Sequence, residues 1–154
     1  GEPSAQDLRE VLALYLQHTE KYRQHAPGYA AAGGLYLLLG EPGQAATYSR
    51  KAIAIEPDYL AYRSLAIAAS RLSAFDLAIK SAISASELNP VFRRDIDLMM
   101  SVAYAYISID DVANAKASLG ALLRARPEIR GHEQFDRLVA FVYQRAEALE
   151  RTVD

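Results

Sequence analysis

Residues 29–57 read YAAAGGLYLLLGEPGQAATYSRKAIAIEP, and the order of residue types in this stretch decides the fold. Tyr29 opens it, Ala32 and Gly33 follow at a one-turn spacing, and Tyr36 comes three residues later. Gly40-Glu41-Pro42-Gly43 then interrupts, after which Ala45 and Ala52 lead to a closing Pro57. Apolar residues spaced by three and four mark one face of a helix, and Gly followed by Pro is helix-stop and helix-start chemistry. The stretch therefore predicts two helices joined by a tight turn, with small residues where the two would approach.

The same order recurs downstream. Pro57, Pro90 and Pro127 each end a segment rich in Ala and Leu, as expected of a residue that stops helices. Counting back 28 residues from each reaches Tyr29, Tyr62 and Met99, and counting forward 16 from those reaches Ala45, Ala78 and Ala115. The second unit reads Tyr62, Leu65, Ala66, Ala69, Ala78, Ala82, Ala85, Pro90, and the third Met99, Val102, Ala103, Tyr106, Ala115, Leu119, Leu122, Pro127. Phe135, Leu138, Val139 and Val142 continue the spacing in a last helix that no further helix follows. Asp110-Asp111 suits a helix stop and start, and Ser73-Ala74-Phe75-Asp76 is a weaker version of the same turn.

This pattern resembles the tetratricopeptide repeat (TPR) family, whose units place a large residue, a small one, an aromatic, a small residue across the turn, a bulky one and a Pro. The resemblance covers roughly residues 27–145. It implies an all-α fold, a right-handed α-solenoid of antiparallel helix pairs. An N-terminal helix (1–26) would precede three units (27–58, 59–95 and 96–131), and a C-terminal capping helix (132–154) would end the stack. Three departures stand out. Ser49 occupies a place where the family carries a bulky residue, with Tyr48 adjacent to fill the gap, and Ala69 and Ala82 replace aromatics. The linkers from Pro to the next large residue are 5, 9 and 8 residues long, so Val91–Asp95 and Ile129–Gly131 are expected to bend the stack or add surface on one edge. A bulky residue such as Leu at position 33 is expected to wedge a pair apart. The first helix, starting near Asp7-Leu8-Arg9-Glu10 and running to about His25, shows Leu8, Leu12, Tyr15 and Tyr22 on one face. Val11, Leu14 and Leu16 widen that stripe, which predicts burial on two sides.

Composition narrows the function classes. Seventeen Lys and Arg against 19 Asp and Glu, a net charge of -2, is too balanced for a protein bound to nucleic acid by counterion release. With no Cys, disulfides, thiolate metal sites and cysteine nucleophiles are excluded. The apolar runs Tyr29–Leu39 and Leu98–Ile109 fall short of the roughly 20 residues of a membrane-spanning helix, so a soluble chain is expected. The cytoplasm is the first expectation for its compartment and the bacterial periplasm the alternative, with a bacterial source suggested by the Ala and Arg content. Gly28 to Gly34 has the glycine spacing that begins a phosphate loop, but no Lys-Ser/Thr follows and helix packing explains it better. His18 and His25 could share a helix face, yet a metal site needs a third group. No nucleophile, base and orienting group can be placed together, so the reading is of a non-enzyme without cofactor or metal.

The resemblance implies that the first helix of each unit lines a concave groove. Candidate groove residues are Leu37 with Ala30, Gly34 and Leu38 in the first unit, and Arg63, Ile67 and Arg71 with Leu60 and Ser70 in the second. The third unit adds Asp97, Met100, Tyr104 and Ile107, and the last helix Asp136 and Tyr143 with Glu133 and Ala140. Aromatic, Met and Arg side chains are over-represented at interface centres, which singles out Arg63, Arg71, Met100 and Tyr104. The carboxylate clamp of chaperone-binding TPR domains has no match here, since Ala30, Gly34, Ser64, Asp97 and Ser101 stand at its places. The leading expectation is a scaffold or adaptor that holds an apolar or amphipathic protein segment. The alternatives are a self-association module that builds a homodimer or larger oligomer, and a regulatory domain of a larger protein. The bland reading of the stripe is ordinary packing between repeats, or a helix of the same chain, residues 5–25, lying in it.

Overall fold

Helices break where Gly, Pro and Asp punctuate the sequence. The computed structural model describes residues 1–152, and among them the chain forms eight α-helices: α1 Ala5–Lys21, α2 Ala26–Leu38, α3 Pro42–Ile55, α4 Tyr59–Arg71, α5 Phe75–Leu88, α6 Ile96–Ser108, α7 Val112–Ala125 and α8 Glu133–Arg151. The last two residues assigned from sequence to the capping helix lie outside the described ones. Helices α2/α3, α4/α5 and α6/α7 pack as TPR-like antiparallel pairs. α2, α4, α6 and α8 also pack each on the next, forming an inner layer, while α3, α5 and α7 form the outer one.

One turn geometry closes the first helix of all three pairs. Gly40, Ser73 and Asp110 adopt left-handed backbone, with φ of 75°, 61° and 63°. Past each, the chain bonds back to the helix: Glu41 N–H donates to the Tyr36 carbonyl (2.9 Å), Ala74 to Ala69 (2.8 Å) and Asp111 to Tyr106 (2.9 Å). These bonds satisfy carbonyls that a helix end leaves without partners. The second helix then starts at once, through Pro42 in α3 and through the Asp111 carboxylate accepting from Asn114 N–H in α7.

Inside each pair the small residues sit at the crossing. Ala45, Ala78 and Ala115 are buried, as are Gly33, Ala66 and Ala103 opposite them. Ser49 is not a hole for Tyr48 to fill. It is fully buried against Gly33, where an added Cβ would lie 2.6 Å from the Ser49 Oγ, so a bulky residue is excluded by the closeness of α2 and α3. Larger side chains gather at the C-terminal end, where Ile107, Leu119, Leu122, Phe135 and Val142 form one cluster.

The longer linkers fold into short 3₁₀ turns at Phe92–Arg94 and Pro127–Ile129. They tie neighbouring units together: the Arg94 guanidinium donates to the Ala125 carbonyl (3.0 Å), and Arg126 donates to the Arg94 carbonyl (3.2 Å). The first helix departs from its sequence reading in two ways. It ends at Lys21 rather than His25, because residues 22–25 turn to place Pro27 in the first turn of α2. It also buries only Leu12 and Thr19, since its main packing is against α2.

Candidate protein-binding groove

The inner layer presents a trough in two connected parts. In the first, of about 620 Å³, α1 supplies Val11 and Tyr15, α2 supplies Leu38, and α4 supplies Leu60, over a floor made by the flanks of Leu37 and Ile67. The exposed apolar side chains here are Leu38 at 70%, Val11 and Leu60 at 42% and Tyr15 at 38%. In the second part, of about 310 Å³, Met100 and Tyr104 of α6 face Gln134 and Leu138 of α8. Ile67, Arg71 and Asp97 border both parts and make them continuous. The α1 helix therefore forms a side wall of the trough and does not occupy it.

Arg71 ends α4 and is exposed, with its Nη1 donating to the Leu37 carbonyl at 3.3 Å. That contact puts a cation at the C-terminal end of α2, where the helix dipole favours it, and leaves guanidinium donors for the trough. Arg63 is placed differently. Its Nε donates to Asp95 at 2.6 Å and its Nη2 to Asp97 at 3.4 Å, while the Tyr59 hydroxyl donates to the same Asp95 oxygen at 2.7 Å. Asp95 also caps α6, accepting from Leu98 N–H at 3.2 Å. Burial alone would raise the Asp95 carboxyl, but the hydrogen bonds from Arg63 and Tyr59 outweigh it and hold the group below the usual carboxylate range. Burial, reinforced by the bond to Asp95, pushes the Tyr59 phenol up. Arg63 is thus a bracket between α4 and the start of α6, with only its edge on the trough.

An aromatic ladder stands at the far rim. Tyr104 meets Phe75 edge-on at 5.8 Å between ring centroids and lies 6.3 Å from Phe141. Both spacings are in the range where aromatic pairs attract beyond their buried area.

Of the residues singled out from sequence, Arg71, Asp97, Met100 and Tyr104 come together on the trough, and Arg63 borders it. Leu37 and Ile67 are buried and contribute only floor, and Ile107 is a core residue at 1% exposure, packed away from the trough. Asp136 and Tyr143 lie elsewhere. They border a recess against α7, and Lys116 Nζ stands 4.6 Å from the centre of the Tyr143 ring. The physical reason is that α8 docks through Phe135, Val142 and Ala146 against both α6 and α7. That docking turns Gln134, Leu138 and Phe141 to the trough instead. The repeat register carried into the last helix could not show this, whereas the buried stripe Phe135–Val142–Ala146 is readable as a 3.6-residue period. Val11 and Tyr15 were also missed as groove residues, because the first helix read as buried on two sides.

His18 Nε2 and His25 Nδ1 share a hydrogen bond of 2.9 Å, and among the described residues no three His, Asp or Glu side chains gather to hold a metal. No described helix is long and apolar enough to cross a membrane.

Stacked antiparallel helix pairs with small residues at each crossing and a trough on the inner layer define the class of helical-repeat proteins. The chain matches the family model described as tetratricopeptide repeat over residues 26–59, which are α2, α3 and the start of α4. Among solved structures it is similar to MamA, at 18% identity and a TM-score of 0.76 over 96% of this chain and 78% of that one. A second MamA structure matches at 18% identity and 0.71, over 96% and 91%. YrrB, described as a TPR protein with an unusual peptide-binding site, matches at 20% identity and 0.73, over 92% and 71%. At these identities the likeness is one of fold. No curated protein matches the sequence.

Proposed function

We propose that this chain is a non-catalytic scaffold or adaptor whose inner trough holds an apolar or amphipathic segment of another protein. The observation that carries the reading is the pairing of exposed Val11, Leu38 and Leu60 along one trough with the exposed cation Arg71 at its middle. Contiguous exposed apolar side chains with a charged group at the centre are what an interface looks like before its partner arrives. A helix laid in the trough would offer anchors at three- and four-residue spacing, with a carboxylate opposite Arg71. The peptide-binding site named for YrrB agrees with this use of the fold.

Selection of binding peptides from a displayed random library tests the reading. Selected peptides should share apolar residues at helical spacing and one acid, and should bind the Arg71→Glu/Tyr104→Ala variant at least about tenfold more weakly, its helical circular dichroism being unchanged. Peptides that bind the variant and the parent equally would refute it. Self-association is the second reading, favoured by Leu14 of α1, which is 66% exposed and lies outside the lining of the trough. Light scattering separates the two, because a dimer's mass changes with concentration whereas a groove binder remains a monomer.

A further inference from the structure

The outer layer has a recess unlike the trough. Between α5 and α7, floored by α6, lies a cleft of about 450 Å³ with Ile83, Phe92, Leu98 and Val102 along its apolar side. Arg93 and Arg124 also border it, and its lining contains no Asp or Glu. Both arginines stand at the end where the 3₁₀ turn meets the last turn of α7, since the neighbouring Arg94 bonds the Ala125 carbonyl there. The ion pairs among the described residues involve neither of these guanidinium groups, and Arg93 rests on the Phe92 ring at 4.6 Å. The surroundings reinforce the sign. The outer helices carry Arg50, Lys51, Lys80, Lys116 and Arg124 against only Asp76 and Glu87, on a chain whose net charge is -2.

We infer that this outer cleft binds a small anionic amphiphile, an acyl chain of medium length that ends in a carboxylate. The volume is in the range of small-ligand sites, roughly 300–1,000 Å³. Leu98 and Val102, nearly fully buried, give the chain a dry floor, and half-exposed Ile83 gives it an edge to cover. A carboxylate at the arginine end would receive charge-assisted hydrogen bonds from two guanidinium groups that have no other acid to serve. A neutral head would lose them, and a cationic head would meet repulsion. The site is on the opposite layer from the trough, so it is independent of the proposed protein-binding role.

The test is calorimetric titration of the whole chain with decanoate below its micelle-forming concentration. Decanol, decyltrimethylammonium and vesicles containing phosphatidylglycerol serve as separate arms. Saturable one-to-one binding of decanoate, weakened at least about tenfold for Arg93→Gln/Arg124→Gln, is expected. Ala117→Leu, which fills the cleft from an exposed helical position, should abolish binding with little change in melting temperature, and Arg71→Glu/Tyr104→Ala should leave it intact. No binding, equal binding of decanol, or binding to vesicles with none to monomeric decanoate would overturn the inference.

Discussion

At Gly33 the fold depends on a few tenths of an ångström. A methyl group there would meet the Ser49 Oγ at 2.6 Å, the Ser49 backbone nitrogen at 3.2 Å and the Ala45 carbonyl at 3.3 Å. The Ser49 Oγ is buried without a hydrogen-bond partner among the described residues. Gly33→Ala should therefore cost about 1–3 kcal/mol, whereas Ser49→Ala should be neutral or stabilise by up to about 1 kcal/mol. In the double variant part of the Gly33→Ala loss should return, because one of the three close contacts is gone, and urea unfolding of the four proteins measures the coupling. Additive effects would mean the two side chains do not touch. A second residue-scale expectation concerns Ser73, held at φ 61° where Gly40 does the same work without a side chain. Ser73→Gly should raise stability by about 0.5–1 kcal/mol, seen as a higher denaturant midpoint at unchanged slope.

Between elements, Asp95 joins α4 to α6 by capping one and accepting hydrogen bonds from Tyr59 and Arg63 on the other. Removing its charge by Asp95→Asn should cost about 1–3 kcal/mol at neutral pH. Because the folded carboxyl is held below its unfolded value, its contribution is complete above the ordinary carboxylate range and is lost as pH falls through the depressed value. Thermal melts from pH 7 down to pH 2 should show the parent and Asp95→Asn converging in acid. A constant gap would assign the loss to packing instead. The helix order was legible in the sequence because Pro57, Pro90 and Pro127 fix the ends of the pairs and Gly40, Ser73 and Asp110 fix their turns. What was not legible depended on neighbours. Arg63 looks like a free interface cation until Asp95 is folded beside it, and Ile107 looks like groove until α7 covers it. The face of α8 depended on how it docks across α6 and α7, which a register taken from complete pairs does not encode.

For the molecule as a whole, the trough and the outer cleft lie on opposite layers, each with a cation beside exposed apolar side chains. If the trough is kept for a different protein, the isolated chain should scatter light as a monomer of constant mass over a hundredfold range of concentration. The most direct measurement replaces Leu38 with a photoreactive benzoylphenylalanine in the cell that makes the protein, and Gln44, exposed on α3, in a control. Irradiation should join a discrete second protein to the Leu38 variant, the product should vanish when Arg71→Glu/Tyr104→Ala is added, and the Gln44 control should lack it. An adduct of twice this chain's mass, or none, would contradict a groove built for another protein.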